Sequence, residues 1–490
     1  MMTFGEMIFW HASRNPDKPA IVGPGRVITY GGLRDAIGTC AWRVQALGWK
    51  PGGTVAILMK DRVGYIILAA ALARLGFVTM SARGWGDVMD SGLELAGVVS
   101  SHPAPPENRA PFAQMDATWV EPGSEKRLPP PLTVLDAGAV HHVALTSGST
   151  GRPKPVGFDA HAIREIQISL GLIGDAIAWD RVCSLPSLES YFGYGVATMA
   201  LFLGKTLVFA DSVVDSMHLV ALFGVEWIVA SNIQLERILH MQANMPIACP
   251  SLRMVYFGGS LVTKALLRGA RAYLPAQIVC GYGSTESGVI AVGPAERLPA
   301  RDGATGYVAP WVTMEIVDGE GRALPPGSEG VIRFRTPGQG RIFNPATGIF
   351  DALDPVSGWV YSGDLGLLQP DGVLVITGRA DEVINAGGVK FAPEILEQSL
   401  LAHPEVAEAA VVSLPDPFGV EEAWVAVVPR NPGVDKDALR RQCLERVRQV
   451  NFRELVFVDA IPRTDLGKPA RAEVRKILLS MKNSGGATQA

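Results

Sequence analysis

A chain of 490 residues is longer than one hydrophobic core usually organises, so two or more domains are expected. With 48% hydrophobic and 19% charged residues it is too apolar for extensive disorder, and a formal net charge of -4 without any basic run argues against a nucleic-acid or membrane-surface partner. The five cysteines (Cys40, Cys183, Cys249, Cys280 and Cys443) are scattered, odd in number and lack CxxC spacing, which reads as reduced thiols in a cytoplasmic protein rather than a disulfide framework or zinc site.

The N-terminus, Met-Met-Thr-Phe-Gly-Glu, has no basic region leading into an apolar core, so a signal peptide is not expected. Residues 54–59 read as a strand, 63–75 as a helix and 77–80 as the next strand. The longest apolar stretch, 65–80, contains Arg74 and reads as a buried helix and strand, not a membrane span. Residues 101–132, rich in Pro, Ala and Glu, read as surface loop, and 143–145 as a strand. The rhythm continues with strands at 206–210, 227–230, 253–257 and 277–280, alternating with helices at 213–223, 233–240 and 263–273. Such alternation predicts an α/β fold with largely parallel sheets in a large, multi-subdomain N-terminal domain.

Residues 306–377 are turn-rich and β-like; after them the pattern restarts as a small α+β domain. A helix starts at Pro393, where proline suits the first turn; strands follow at 407–413 and 423–429, a helix at 436–447 and a strand at 455–458. The expected domains are 1–379 and 380–490.

The most informative stretch is Thr146-Ser147-Gly148-Ser149-Thr150-Gly151-Arg152-Pro153-Lys154, which follows an apolar strand. Its glycines free the backbone to turn sharply and aim N–H groups at an anion, its hydroxyls can donate to phosphate oxygens, and Lys154 adds a point charge. It is not a Walker loop, and the same composition also suits a plain surface loop. Four further motifs follow: Gly281-Tyr282-Gly283-Ser284-Thr285-Glu286, Tyr361-Ser362-Gly363-Asp364-Leu365, Gly378-Arg379-Ala380-Asp381-Glu382-Val383-Ile384-Asn385 and Pro462-Arg463-Thr464-Asp465-Leu466-Gly467-Lys468. In these five ordered motifs, and over nearly the whole chain, the sequence resembles the adenylate-forming superfamily of acyl- and aryl-CoA synthetases, luciferases and nonribosomal-peptide adenylation domains.

That resemblance implies ATP-dependent activation of a carboxylate to an acyl adenylate, then transfer to a thiol, coenzyme A before a carrier-protein phosphopantetheine. It implies ATP, Mg²⁺ and coenzyme A as cofactors and cosubstrates. Residues 146–151 and Lys154 would cradle phosphates; Gly258, Gly259 and Ser260 would form one side of the adenine slot, with Tyr282, flanked by Gly281 and Gly283, stacking on the base. Thr285 would donate to the α-phosphate and Glu286 would hold Mg²⁺. Asp364 and Arg379 would take the ribose. Lys468 would be the catalytic lysine of adenylation, its cation placed between two anions that must meet. Asp381 would be the pivot of a rotating small domain, and Gly387, Gly388 and Lys390 would line the path of the pantetheine arm.

The acyl pocket is expected around Ser190, Tyr191, Tyr194, Gly283 and Gly288. No Asp pairs with an α-amine there, and aromatic Tyr191, Phe192 and Tyr194 favour a small aromatic or short acyl acid. The expected partners are therefore that carboxylate, the thiol acceptor and a second copy of the chain as homodimer. Two other functions share the motifs: a luciferase-like monooxygenase, and an inactive nucleotide-binding homologue, which the presence of Lys154, Glu286, Asp364, Arg379 and Lys468 disfavours.

Overall fold

The structure, a computed structural model, describes residues 4–23, 25–120, 129–147, 153–173, 178–210, 212–260, 262–299, 301–354, 356–380, 382–386, 389–415, 421–447, 452–464 and 467–485. The chain packs as two compact units, Met1–Met314 with Phe334–Val360, and Glu315–Arg333 with Tyr361–Ala490. The division expected at 379/380 falls inside the second of these packing units and returns below as a proposal.

The first unit holds two sheets. One runs, in spatial order, Ala304–Val308, Gly288–Pro294, Gln277–Ser284, Met254–Gly258, Trp227–Ser231, Arg181–Ser184, Thr206–Val208, Pro19–Gly23 and Arg26–Thr29. From Gln277–Ser284 to Pro19–Gly23 neighbouring strands pair parallel, and antiparallel hairpins extend both ends. The second sheet has the parallel strands Val140–Ser147, Val78–Ser81, Thr54–Leu58, Leu95–Ser100 and Phe112–Gln114, with Pro153–Asp159, Arg341–Asn344 and Ile349–Ala352 added antiparallel. Strands covered on both faces are read as continuous apolar runs, and Trp227–Ser231 and Met254–Gly258 are buried along their whole length.

The helix Arg62–Arg74 explains the long apolar stretch. Val63 to Leu72 are all buried, so the helix is apolar on every side, and Asp61 caps it by accepting from the N–H groups of Val63 and Gly64. The strand expected at 143–145 begins three residues earlier, at Val140; the other expected strands and helices begin within two residues of their expected starts. The stretch 101–132 is a correction: it contains the strand Phe112–Gln114, paired parallel to Leu95–Ser100, and a short 3-10 turn Ala117–Trp119. Three residues between prolines carry too little alternation to be seen as a strand.

A second element was hidden by glycine. Tyr191–Phe202 is a helix although Gly193 and Gly195 lower its propensity. A Cβ on Gly193 would lie 2.1 Å from the Ser187 carbonyl oxygen, so the helix approaches the preceding loop closely enough to require glycine there. Ser190 caps it, accepting from Gly193 N–H at 3.1 Å while donating to the Ser187 carbonyl at 2.7 Å.

The second unit contains a three-stranded sheet in which Glu421–Pro429 lies between an antiparallel Val406–Pro415 and a parallel Glu454–Phe457. Strand alternation sends Val411 and Val425 to one face, packed with Leu396, Leu400, Leu439 and Cys443 of the helices Pro393–Leu401 and Lys436–Arg446. Val412 and Trp424 face the other way, against Val474 and Leu478 of the helix Arg471–Gly485.

All five cysteines are free and buried, and burial pushes the Cys183 and Cys280 thiols up to about 12. His142 is buried in the first unit, its Nδ1 2.8 Å from Thr79 Oγ1, and desolvation holds its pKa down at about 3. Between pH 6.5 and about 3 the unfolded chain therefore carries a proton on His142 that the folded chain does not. The stability this group contributes above pH 6.5 is lost as pH falls, by about 1.4 kcal/mol per unit. His142→Gln should flatten the acid limb of denaturant-measured stability against pH; an unchanged limb would show that other groups set it.

Candidate active site

Two of the predicted site segments, 258–260 and 281–286, lie at the carboxyl ends of adjacent parallel strands, where open α/β sheets bind ligands. After Arg181–Ser184 the chain crosses to Thr206–Val208 on one side and then returns to Trp227–Ser231 on the other, so the sheet changes direction at Arg181–Ser184. Residues 185–190 follow Arg181–Ser184 directly, while 258–260 and 281–286 lie at the carboxyl ends of Met254–Gly258 and Gln277–Ser284, two and three strands further along the sheet.

Gly258 pairs with Gly281 in register. A Cβ on Gly258 would come within 2.4 Å of the Gly281 carbonyl oxygen, and one on Gly281 within 2.2 Å of the Tyr256 hydroxyl. Gly259 follows with φ +99°, a turn that glycine adopts readily. Ser260 is held through its carbonyl, which accepts from Asn232 Nδ2 at 3.2 Å. Tyr282 is half-buried, one residue beyond the Gly258–Gly281 contact. Gly283 sits where a Cβ would lie 2.2 Å from the Gly288 carbonyl oxygen, and Gly288 takes φ +68°.

Thr285, Glu286 and Ser287 form the tight turn of the hairpin whose last pair is Ser284 with Gly288. The Glu286 carbonyl accepts from Gly340 N–H at 2.7 Å, which fixes the turn while leaving the carboxylate half-exposed. The phosphate-loop stretch joins Val140–Ser147 to Pro153–Asp159, with Thr146 opposite Lys154 and Ser147 opposite Pro153. Thr146 Oγ1 donates to the Lys154 carbonyl at 3.4 Å, and Lys154 is exposed. Gly148, Ser149, Thr150 and Gly151 lie outside the described residues.

Asp364 and Arg379 belong to the second unit. They face each other across an antiparallel pair, and Arg379 Nη1 donates to Asp364 Oδ1 at 3.2 Å and to the Ser362 carbonyl at 3.4 Å. Gly363, at φ +74°, makes the turn and its carbonyl accepts from Ala380 N–H at 2.7 Å. Lys390 opposes Asn385 in a short antiparallel pair; Gly387, Gly388 and Asp381 lie outside the described residues. Lys468 is exposed on a turn in the same unit.

The aromatic residues expected around the acyl group are placed in the interior. Tyr191 stacks on Phe158 with ring centroids 3.9 Å apart, and Tyr194 on His142 at 3.8 Å; both tyrosines are more than nine-tenths buried. An apolar groove of about 170 Å³ lies elsewhere, lined by Ile166, Ser169 and Leu172 of the helix Ala160–Gly171 and its end, with Ser287, Trp311 and Gly338. It begins at the residue after Glu286 and reaches solvent at Ile168 and Leu172, which are 43% and 51% exposed. The sequence pointed to its Ser287 edge but not to the helix, because no motif marks that helix as a pocket wall.

Sequence reasoning also missed Arg62. Its guanidinium donates to the Ser184 and Leu185 carbonyls, each at 2.9 Å, and Gln234 Nε2 donates to the Leu185 carbonyl at 2.9 Å. The available signal was a charged first residue on an otherwise apolar helix.

Comparisons with known proteins identify the family. The AMP-binding enzyme family profile matches residues 8–83 and 91–342, and the profile of the AMP-binding enzyme C-terminal domain matches residues 396–468. The fatty acid–[acyl-carrier-protein] ligase ScoC of Streptomyces coeruleorubidus is 30% identical over 510 aligned residues, covering 97% of this chain and 96% of the relative. The indoleacetate–CoA ligase of Aromatoleum aromaticum is 29% identical, covering 97% of this chain and 98% of the relative. Among solved structures, the o-succinylbenzoate CoA synthetase of Bacillus subtilis with its acyl-adenylate intermediate superposes with a TM-score of 0.82 at 23% identity, covering 96% of this chain and 97% of that one. The two profiles and the 30%-identical relative place the chain among the adenylate-forming enzymes. The chain belongs to the AMP-binding enzyme family and is an AMP-forming acid–thiol ligase.

Arg62→Met, which keeps the aliphatic stem and removes both donors, should cost about 1–3 kcal/mol of stability. It should also lower turnover, because it frees the 184–185 backbone at the end of the strand where the sheet changes direction. Urea unfolding and steady-state kinetics check this; wild-type values for both would leave Arg62 a surface contact.

Proposed function

We propose that this ligase activates a small aryl or short acyl carboxylate with ATP and passes the acyl group to coenzyme A. The observation that carries the reading is the meeting, at one sheet edge, of the glycine-lined strand ends 258–260 and 281–283, the Thr285–Glu286 turn and an apolar groove starting at Ser287.

In the first half-reaction a carboxylate oxygen attacks the α-phosphorus, the bond to the bridging oxygen breaks, and pyrophosphate leaves with that electron pair. Glycines 258 and 281 let the two strand ends approach closely at the proposed adenine slot, with Tyr282 as the stacking partner of the base. Asp364 accepts from the ribose hydroxyls and Arg379 orients Asp364, consistent with their 3.2 Å contact. Thr285 and Lys154 donate to phosphate oxygens. Bound Mg²⁺ would neutralise charge on the phosphates, taking one carboxylate from Glu286 and its other ligands from phosphate and water, as this ion usually does. Lys468 places its ammonium between carboxylate and α-phosphate, two anions that repel until a cation lies between them.

In the second half-reaction the thiol sulfur attacks the acyl carbon, AMP leaves, and the thioester forms. We assign the pivot between the two half-reactions to Asp381, dividing moving parts 1–379 and 380–490. The segment with Gly387, Gly388 and Lys390 would then present the thiol's arm. The groove supports the substrate size: an engineered apolar cavity of about 150 Å³ accepts benzene, and this one is about 170 Å³. A carrier-protein thiol is the second acceptor to test, because a relative at 30% identity is named as an acyl-carrier-protein ligase. Five buried free thiols suit a reducing, cytoplasmic setting.

Pyrophosphate release with benzoate, phenylacetate, hexanoate and dodecanoate tests the substrate class. One of the first three should turn over fastest; preference for dodecanoate would overturn the assignment. Thioester formation with coenzyme A against a phosphopantetheinylated carrier protein then identifies the acceptor.

Lys468→Ala should lower ATP–pyrophosphate exchange by about 10²-fold or more while sparing thioester formation from a supplied acyl adenylate. Equal loss in both half-reactions would remove Lys468 from the adenylation step.

A further inference from the structure

Lys468 stands on a turn whose two stems are each anchored by an arginine. Within the turn, Thr464 N–H donates to the Lys468 carbonyl at 2.8 Å, Lys468 N–H donates to Thr464 Oγ1 at 3.2 Å, and Gly467 takes φ +81°. On the entering stem, Arg463 sets Nε and Nη2 on Glu408 Oε2 at 3.0 and 2.7 Å. Its remaining nitrogen, Nη1, donates at 2.7 Å to the carbonyl of Gly467, the residue before Lys468. The two stems join through a bridge between Arg463 and Pro469, and through Ala470 N–H donating to the Pro462 carbonyl at 2.8 Å.

The exiting stem runs into Arg471, whose side chain is largely buried. Its Nη1 donates to the Val411 carbonyl at 2.9 Å and to Glu397; Nη2 donates to Glu394 at 3.0 Å; Nε donates to Glu382 at 2.6 Å. Glu408 and Val411 lie on one strand, Val406–Pro415, so both arginines fasten the turn to the same central element. Neither arrangement is what stability alone would select. Arg471 opens its helix, the end at which the helix dipole disfavours a cation. Arg463 and Glu408 are each about one-third exposed (31% and 33%), where an ion pair contributes little to folding.

We propose that Arg463 and Arg471 are positioning residues for Lys468, holding the two stems of its turn so that the lysine is presented from a fixed backbone. This rests on the role given to Lys468 above. A lysine side chain has four flexible carbons, so the protein can preorganise only the backbone from which it starts. Catalysis by a placed charge is lost when that start drifts by about an ångström. Glu382 extends the brace: it is the residue after the assigned pivot, and through Arg471 it is tied to the base of the helix that follows Lys468.

The test uses the full chain, with the carboxylate that turns over fastest among benzoate, phenylacetate and hexanoate. Arg463→Met should lower the ATP–pyrophosphate exchange rate by about 10- to 100-fold through kcat. The KM for ATP, the melting temperature and thioester formation from supplied acyl adenylate should stay near wild type. Arg463→Lys should recover part of the loss. In a Lys468→Ala background Arg463→Met should cause no further loss, since there is no ammonium left to place. Arg471→Lys, which keeps the buried charge but loses the fork, should show the same selectivity together with a lower melting temperature. Wild-type exchange in Arg463→Met, equal loss in both half-reactions, or a loss that adds to that of Lys468→Ala would each overturn the proposal. If Lys468→Ala itself retains exchange, the role of Lys468 fails first and the proposal with it; if only Lys468→Ala loses exchange, the lysine stands and the brace does not.

Discussion

Gly258 and Gly281 face each other across two parallel strands, too close for a side chain on Gly258: a single methyl there would come within 2.4 Å of the opposite carbonyl oxygen. This backbone approach fixes the spacing of the strand ends. From it follow the position of the Thr285–Glu286 turn, the exposure of Gly283 and the start of the groove at Ser287. The surrounding elements serve the same edge. Asn232 holds the Ser260 carbonyl, while Arg62 and Gln234 hold the backbone at 184–185, so buried carbonyls at irregular strand ends find donors from neighbouring helices.

The charged groups are organised differently from the glycines. In the first unit the residues proposed for the nucleotide are mostly backbone glycines, joined by the Glu286 carboxylate and the exposed Lys154 ammonium. In the second unit, charge is paired before any ligand is considered. Arg379 holds Asp364 in place, and Arg471 gathers Glu382, Glu394 and Glu397. Burial raises the Glu394 carboxyl above its usual range, which eases the crowding of three acids around one guanidinium. Fixed dipoles and pre-paired charges both reduce the rearrangement required when a polyanion arrives.

The chemistry-bearing motifs were singled out by their resemblance to a family, whereas the α/β class and most strand starts were legible because they depend on local apolar runs. The short strand Phe112–Gln114 was not, since it exists by pairing with Leu95–Ser100 rather than by its own alternation. Nor was the helix Tyr191–Phe202, whose glycines signal a loop until the Ser187 carbonyl is seen pressing on Gly193. The same helix explains why Tyr191 and Tyr194 suggested pocket walls. Aromatic residues in a core and around a ligand have the same composition, and only the stacking on Phe158 and His142 separates them. Arg62 and Arg463 act through carbonyl oxygens distant in sequence or one turn away, and a sequence does not display which carbonyls lack donors.

The contact between Gly193 and the Ser187 carbonyl bears on how this enzyme could diversify. The loop 185–190 and the first turn of the following helix share one backbone contact at a distance no side chain tolerates. Neither can change path without the other, so recombination that imports the loop alone would set a foreign backbone against a helix shaped for this one. A transplant carrying 185–195 as a single cassette keeps the cap at Ser190, the glycine and the carbonyl together. Changes at this segment should therefore be inherited in blocks, whereas exposed residues of the helix Ala160–Gly171 can vary one at a time.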